Sequence, residues 1–588
     1  MKKRVLVILG VGLAASLLAQ ASTQTNYGSG SKLTGALVLT GTVNLMQLAE
    51  GQALGGIPLR NLGASTGPQT KPTPLLPPPN WHPAPIGSQT PTGTGSVPMQ
   101  SLSIGSSSTF GLLGLTHADQ RNANAGNQFS VEPPNASIAV GDGMVLEGVN
   151  NAVQVYDTYG NPLLPAVLSS NQVFGVSPAI NRATGVNGVF PTDMRVFYDQ
   201  TLDRFFVIQR AQDNDAAGNE LTTSHLYMAV SQTGDPTGTY NIYVMDTTDG
   251  GNTQGCSCYP DYPQIGADAY GLYIASNEFN STYNYFVDAQ IFAISKASLA
   301  ANATAPTLMR YLLSDYTGFE FAIQPVTTPI GASYYLANGG GEFFVSTAIS
   351  GEIDNQVAVW LMTNTSSLSN PTPNTALTRI NTDVLAYTAP WNVPQMNGPI
   401  PYGNTFGVVQ PSYLDGGDQR LLSAMYAGGR IYATWATLAQ DELGNNVDGA
   451  AYVILSPTYR GTTLSAPVLR QGYLLVQGNH LLRPAIGVTA QGRGAITVTL
   501  TGNSYWPTAA YVPITTYLTS TTLEVVAPGA APEDGFTGYE PCCVARWGDY
   551  NSAAVADDGS IWMVTEFIPN APRTQFANWG TYITQFNP

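Results

Sequence analysis

The chain has 588 residues, of which only 10% are charged, and its 22 Lys and Arg against 38 Asp and Glu give a net charge of −16. This length is enough for one large domain or several small ones. The acidic balance argues against nucleic acid and anionic membranes as partners, because neither would be attracted to the surface. Neutral polar side chains cover the surface in place of ions, which suits an acidic extracellular habitat or an Asn/Thr-rich cell-surface protein.

The chain begins with a basic start, an apolar run from Val5 to Ala19, and the small-residue pattern Ala19-Gln20-Ala21. This order predicts a signal peptide over residues 1–21 that is removed on export. No later stretch is long and apolar enough to predict a transmembrane segment in the mature chain. We therefore expect a secreted protein, whether extracellular, attached to the cell surface or periplasmic.

Two segments precede the main body of the chain. Residues 22–63 form a Gly/Thr/Leu-rich N-terminal segment, and residues 64–129 form a linker rich in Pro, Gly, Ser and Thr. Proline-rich composition favours a stiff, extended chain without a core of its own. We expect the main domain to span 130–588 and to fold without residues 22–108, unless an N-terminal strand closes it like a clasp.

The main body alternates short β-branched and aromatic runs with Gly, Asn and Asp, which predicts an all-β fold. Residues 261–279 and 549–567 repeat each other without a gap, with coinciding Asp, Tyr, Gly, Glu and Phe. Weaker copies recur about every 50–70 residues, a spacing typical of propeller blades. We predict a β-propeller of six to eight blades, with seven favoured. An array of β-sandwiches is the alternative, but it would show Pro/Gly linkers between copies.

Three segments, 197–207, the Asp-Tyr-Pro block at 261, and 546–567, resemble blades of secreted bacterial propellers of the sialidase-like, BNR (Asp-box) repeat superfamily. Asp557, Gly559 and Trp562 stand in phase with an Asp-box, although Val555 and Ile561 replace its hydroxyl residues. The resemblance covers roughly residues 130–588 and implies the propeller architecture. One imperfect box does not imply sialidase activity.

Four cysteines occur as two tight pairs, Cys256 with Cys258 and Cys542 with Cys543. An even number of cysteines in an exported protein favours disulfides. Close neighbours bridge each other only under strain, so we expect the two pairs to be linked to one another. Four thiolates around a metal ion are the alternative, although this spacing is not that of a usual zinc site.

The repeated acids Asp261 with Glu278 and Asp549 with Glu566 are the candidate catalytic residues. Glycoside hydrolysis needs one protonated and one ionised carboxyl across a cleft, and a propeller brings its innermost strands around one funnel. The competing interpretation is structural, because a feature repeated in every copy more often caps a turn or packs between blades.

Arginines and aromatics supply the candidate ligand-binding residues. In a sialidase-like site an arginine cluster holds a substrate carboxylate, and aromatic faces stack on sugar rings. Salt bridging and core packing are the alternatives for these side chains. The candidates are Arg195, Arg546, Trp547, Tyr262 and Tyr550.

A calcium site is the one cofactor site that the sequence suggests. Asp213, Asp215 and Glu220 place oxygen ligands in a Gly-containing loop, but the loop lacks the spacing of a full calcium-binding loop, and a plain hairpin turn explains it as well.

Three functions remain open on the sequence alone. The first is an extracellular glycan-directed hydrolase or glycan-binding protein that acts at the funnel. The others are a non-catalytic surface interaction protein and an acid-active periplasmic hydrolase of a small anion, as in tetrathionate hydrolases. Fold alone does not choose between them.

Overall fold

The structure is a computed structural model that describes residues 24–33, 35–54, 99–248, 257–313, 318–349, 353–515, 520–539 and 543–588. The predicted signal peptide lies outside the described residues, as do residues 64–98 of the predicted linker and two cysteines, Cys256 and Cys542. Within the described residues no helix is long and apolar enough to cross a membrane.

The described strands form seven large sheets that follow one another around a ring. In each sheet the first strand of the blade lies innermost, and these first strands contact each other in order until the seventh meets the first. This arrangement confirms the prediction of a seven-bladed β-propeller. We call the end of the axis where the innermost strands begin the upper end, and the other the lower end.

The blades are numbered in chain order and have the following strands. Blade 1 contains Ser137–Gly141, Met144–Val149, Ala152–Asp157 and Leu168–Ser169; blade 2 contains Phe190–Asp199, Arg204–Asn214, Glu220–Ser231 and Thr239–Asp246. Blade 3 contains Cys258–Ala267, Gly271–Asn280, Phe286–Ser295 and Leu308–Leu313; blade 4 contains Gln324–Pro325, Gly341–Thr347, Asp354–Thr363 and Ala376–Tyr387. Blade 5 contains Leu421–Ala427, Arg430–Gln440, Asn446–Leu455 and Val468–Leu475; blade 6 contains Asn479–Val488, Gly494–Gly502, Tyr505–Ile514 and Thr522–Ala527. Blade 7 contains Ser552–Val555, Ile561–Phe567 and Gly580–Phe586.

The remaining elements are short. The α-helices are Leu45–Leu54, His117–Asn122, Ser170–Phe174 and Lys296–Ala300, and the 3₁₀ turns are Asn124–Gly126, Ala337–Gly339, Thr365–Ser369, Gly403–Phe406 and Phe536–Gly538. Small two-stranded pairs join Ile180–Asn181 with Val186–Asn187, Tyr413–Leu414 with Val544–Ala545, and Thr458–Arg460 with Thr463–Ser465.

The core lies between neighbouring blades, because each inner strand is covered by a blade on both of its faces. Apolar and aromatic side chains therefore fill both faces of the inner strands, as Cys258–Ala267 shows by being buried throughout. Trp360 in blade 4 and Trp435 in blade 5 are among the fully buried side chains. Burying rings of this size supplies much of the stabilisation of such a fold.

A long N-terminal segment runs around the outside of the ring. Its strands Thr25–Gly28, Ser31–Leu33 and Leu37–Asn44 add a fifth, antiparallel strand to blades 4, 3 and 2 in turn. Further along, Met99–Ser101 and Ser103–Ser106 add a parallel fifth strand to blades 5 and 6. We call residues 25–54 and 99–106 the belt.

The strand Gly111–Thr116 closes the ring. It pairs antiparallel with Gly580–Phe586 and is the outermost strand of blade 7, so the two ends of the chain share one sheet. A side chain at Gly114 would collide with Glu147 Oε1 and Thr581 Oγ1, each 2.5 Å from the position of its Cβ. This close approach lets the Leu115 amide donate to the buried Glu147 carboxylate at 3.0 Å.

Residues 99–129, which we assigned to the linker from composition, are therefore ordered parts of the propeller. A capping box between Thr116 and Asp119 then starts the helix His117–Asn122, which leads into blade 1. The domain boundaries themselves remain a prediction. The strand that closes the ring, Gly111–Thr116, comes after residues 22–108 and does not show whether the domain folds without them.

Both described cysteines, Cys258 and Cys543, are disulfide-bonded. Their counterparts Cys256 and Cys542 lie outside the described residues. The cross-link between the two pairs therefore stays a prediction.

Candidate functional site

A repeated backbone irregularity marks the upper end of the axis. Asp193, Tyr262 and Arg483 have φ values of 58°, 54° and 50° and sit in the innermost strands of blades 2, 3 and 6. At each of them the pairing with the second strand shifts register, which is the signature of a β-bulge. A left-handed conformation at a residue other than glycine costs roughly 1–3 kcal/mol, and such strain concentrates at functional sites.

Three aspartates from three blades meet at this bulged end. Arg210 Nε donates to Asp193 Oδ2 at 2.9 Å, and its Nη2 lies 3.5 Å from Asp261 Oδ1. Asn135 Nδ2 donates to Asp193 Oδ1 at 3.0 Å and to Asp549 Oδ2 at 2.8 Å. Asp261, Asp193 and Asp549 are thus joined in one chain of hydrogen bonds, which we call the axial network.

Further arginines surround the axial network. Arg546 Nη2 donates to both carboxylate oxygens of Asp549, at 3.0 and 3.2 Å. Arg420 forms a bidentate pair with Asp418 at 2.7 and 2.6 Å. With Arg195, Arg210 and Arg483, five of the chain's 22 basic residues gather at the axis. In a chain so poor in cations this concentration is the strongest electrostatic feature of the described residues.

Solvent reaches the network mainly at one point. The Arg546 side chain is 21% exposed and that of Asp549 is 16% exposed, against about 10% for Asp261 and Arg210. A ligand that approaches along the axis from above would therefore meet Arg546 and Asp549 first.

The two aspartates of the sequence repeat have opposite electrostatic environments. Burial, and then the neighbouring Asp193 charge, raise the pKa of Asp261 to about 6, although Arg210 and Arg420 oppose the rise. Burial would also raise the pKa of Asp549, but the charges of Arg546, Arg483 and Arg420 and the hydrogen bond from Asn135 lower it below its ordinary value. One carboxyl is thus protonated, and the other ionised, between about pH 4 and pH 6.

The predicted ligand-binding tyrosines are part of the packed axis. Tyr262 and Tyr550 contact each other edge to face with ring centroids 5.7 Å apart, and both are buried. The Arg195 guanidinium carbon lies 3.3 Å from the centroid of the Tyr550 ring. That of Arg420 lies 4.7 Å from the Tyr262 ring. These rings support the arginines by cation–π contact and present no open face to a sugar.

Glu278 and Glu566 lie on the second strands of blades 3 and 7, behind the innermost strands. Both are about 1–2% exposed. Burial, reinforced by the neighbouring Asp288 charge, raises the pKa of Glu278 well above its ordinary value, and Glu278 Oε1 accepts from Ser276 at 2.8 Å. Burial likewise raises the pKa of Glu566. The structure brings together the aspartates of different blades, whereas Glu278 is surrounded by charged groups of its own blade and Glu566 lies near Arg483 of blade 6.

Trp547 is fully buried and packs in an apolar cluster with Leu482, Ala545 and Trp579. Its ring is core, and Arg483 Nε donates to its backbone carbonyl at 2.9 Å. Trp547 therefore positions Arg483 through the main chain, and its ring offers no stacking platform.

The calcium candidates lie far out on blade 2, around the hairpin between its second and third strands. Asp215 Oδ1 accepts from the amides of Ala217 and Asn219, each at 2.9 Å, which closes the turn. Asp213 Oδ2 accepts from Thr223 at a distance of 2.6 Å. No group of three or more His, Cys, Asp or Glu arranged to hold a metal ion is found among the described residues.

Sequence reasoning missed Asp193, Asn135, Arg210, Arg420 and Arg483. All of them except Arg210 precede or follow the start of an innermost strand by a few residues, as Asp261 and Asp549 do. Asp193 and Arg483 could have been found from the sequence. Each stands near the start of a blade, before a run of alternating residues, as Asp261 does in the repeat. Nothing in the sequence indicates that Arg210, on a second strand, reaches across to blade 3.

The buried carboxyls predict an unusual pH dependence of stability. Burial raises the pKa of Glu147, Asp288 and Glu533 to about 7 and that of Asp448 to about 8. A carboxyl whose pKa is higher in the folded state than in the unfolded chain binds protons on folding, so stability grows as the pH falls through that range. We expect the Tm to rise between pH 8 and about pH 4.5, where unfolded carboxyls begin to protonate.

Differential scanning calorimetry across pH 3–8 measures this dependence. Glu147→Gln should reduce the rise, because that position no longer takes up a proton on folding. A Tm that falls steadily from pH 8 to pH 4.5 would contradict the expectation. The aspartates with lowered pKa, including Asp549 and Asp418, should cause loss of stability only below about pH 4.

No family model and no curated protein matches the chain. Among solved structures, a Trypanosoma rangeli sialidase matches with a TM-score of 0.30 at 10% identity, over 69% of this chain and 56% of the sialidase. The Cellvibrio cellulosa α-L-arabinanase complexed with arabinohexaose matches with a TM-score of 0.28 at 8% identity, over 67% and 95%. Drosophila Plexin A, in complex with Semaphorin 1b, matches with a TM-score of 0.29 at 10% identity, over 83% and 88%. The fold assignment therefore rests on the sheet order, since these scores are too low to carry functional information.

Proposed function

We propose that the protein is a secreted, glycan-directed hydrolase whose active site is the upper end of the propeller axis. The observation that carries this proposal is the joining of Asp261 and Asp549 in one hydrogen-bonded network under opposite electrostatic environments. Paired carboxyls whose environments push their pKa values apart supply an acid and a base at the same pH, which is what glycoside hydrolysis requires.

In this mechanism Asp261 is the general acid. Its carboxyl, protonated below about pH 6, donates a proton to the glycosidic oxygen as the bond to the leaving sugar breaks. Asp549 is ionised under the same conditions and acts on the anomeric carbon, either directly or through a water molecule. The contact of Arg546 Nη2 with both oxygens holds the Asp549 carboxylate in one orientation.

We also propose that the protein is exported and that its substrate is a glycan. The signal-peptide pattern and the scarcity of surface charge support export. Arg546 and Asp549, as the most exposed groups of the network, are placed to meet a polar substrate first.

Release of reducing sugars from a panel of neutral and acidic polysaccharides at pH 3–7 tests the proposal. On a responsive substrate, Asp261→Asn and Asp549→Asn should each lower kcat by about 10²–10⁴-fold. Asp157→Asn, in a turn of blade 1 outside the network, should leave kcat unchanged. A retained Tm in the two network variants would show that lost turnover is not lost folding.

The same panel distinguishes the proposed hydrolase from the two alternative functions. Binding of a polysaccharide without turnover by wild-type protein would overturn the hydrolase and favour the non-catalytic surface protein. Turnover of sulfur oxyanions with no action on glycans would favour the small-anion hydrolase, which the five axial arginines would suit.

A further inference from the structure

The lower half of the propeller axis contains a cavity of about 100 Å³ that is separate from the axial network. Its walls come from the innermost strands of every blade except blade 6. Its wall is mixed, because Ile138, Val196, Ile265 and Met425 contribute apolar atoms whereas Gln324, Ser423 and other polar residues contribute hydrogen-bonding groups. A concave space with a few convergent polar groups is a usual form of a small-molecule site.

Arg195 lies at the inner end of this cavity, with Gln264 and Asn551 beside it. Among the described residues, only Nη2 of its guanidinium has a hydrogen-bond partner, the Gln264 side-chain oxygen. Its Nε is buried with no hydrogen-bond partner. The arginine is 7% exposed, so its charge is held largely away from bulk water.

No carboxylate lies within ion-pair distance of Arg195 in the described part of the chain, in contrast to Arg210, Arg420 and Arg546. The faces of Tyr550 and Tyr262 partly compensate its charge. A buried cation with unused donors is costly unless an anion completes it.

We propose that this cavity binds a small aliphatic monocarboxylate, with the carboxylate against Arg195 and the short alkyl group against the apolar part of the wall. A cavity of roughly 150 Å³ holds benzene, so the space here fits a ligand of about four or five heavy atoms, such as acetate or propionate. The carboxylate accepts hydrogen bonds from the guanidinium, and the short chain replaces water beside the apolar lining residues. Arg195 also contacts Tyr550 beside the axial network, but none of the three network aspartates lines the cavity, and the proposal does not depend on the proposed active site.

Titration calorimetry with sodium propionate at pH 7, with propionamide as a neutral ligand of the same size, tests the proposal on the full secreted chain. We expect saturable binding of propionate at one site per chain, and binding of propionamide that is about 10- to 100-fold weaker because it lacks the charge. Equal binding of the two ligands, or no binding of propionate, would overturn the proposal.

Substitutions test whether the Arg195 guanidinium holds the ligand. Arg195→Gln should weaken propionate binding about 10- to 100-fold, whereas Arg204→Gln, on the next strand of blade 2 and bonded only to the Asp203 carbonyl, should not change it. Arg195→Lys keeps the positive charge and should bind propionate at least about 10-fold more tightly than Arg195→Gln, so that the assignment stays testable if one of the two variants fails to fold. Unchanged propionate binding in Arg195→Gln would place the ligand elsewhere and contradict the assignment.

Discussion

Replacing Arg210 with methionine will lower the free energy of unfolding by roughly 3–5 kcal/mol, the cost of leaving buried charges without their partner. Arg210 is the only described cation within ion-pair distance of both Asp193 and Asp261. Its removal leaves two carboxyls from neighbouring blades facing each other in a largely buried site. Urea unfolding at pH 7 measures the loss.

The loss should depend on pH in a defined direction. Without the Arg210 charge, which opposes the rise, the folded-state pKa of Asp261 lies further above the unfolded value of about 3.9. A raised carboxyl pKa destabilises the fold at higher pH and ceases to do so once the group is protonated in both states. The difference between variant and wild type should therefore shrink between pH 7 and pH 4.

Arg204→Met is the matched control, because Arg204 begins the same strand and contacts only a backbone carbonyl. It should change the free energy of unfolding by less than about 0.5 kcal/mol. A loss for Arg210→Met no larger than for Arg204→Met would show that the axial network contributes nothing to the fold.

The second large effect concerns the strand that closes the ring. A mature chain that begins at residue 117 should lose its cooperative thermal transition, whereas one that begins at residue 109 should retain a single transition at a lower Tm. The two chains differ only in residues 109–116, which include the outer strand of blade 7, Gly111–Thr116. Without this strand the buried Glu147 loses the Leu115 amide, and blade 7 exposes an unpaired edge.

Loss of the belt alone should be milder. It removes the fifth strands of blades 2 to 6 and the burial of Leu37, Leu45, Ala49 and Leu102, but each of these blades keeps four strands. Scanning calorimetry of the two truncated chains measures whether each one keeps a cooperative thermal transition. Equally cooperative melting of both would show that the ring closes without the clasp.

The blade architecture could be predicted from the sequence because its physical cause is local. Alternating apolar residues and glycine turns recur from blade to blade, residues 261–279 are repeated at 549–567, and each blade is one short-range unit. The belt could not be predicted in this way. A strand such as Ser103–Ser106 has little apolar character of its own, and it forms only because the outer edge of blade 6 offers unpaired backbone groups.

The site was predictable only in part for a related reason. The repeat identified Asp261 and Asp549 because they begin blades, but their partners Arg210 and Asn135 come from other blades. Contacts between blades depend on how the ring closes, and no local pattern encodes them. Glu278 and Glu566 repeat equally well, yet their place on second strands buries both behind the innermost strands.

The pH dependence of kcat/KM on the most responsive glycan tests the central claim most directly, because this ratio reports the pKa values of the free enzyme's acid and base. We predict a bell-shaped profile with a basic limb near pH 6, set by Asp261, and an acidic limb below about pH 4, set by Asp549. In Asp261→Asn the residual activity should lose the basic limb. A profile that is flat between pH 4 and pH 8, or a basic limb that persists unchanged in Asp261→Asn, would contradict the acid and base roles assigned to the axial network.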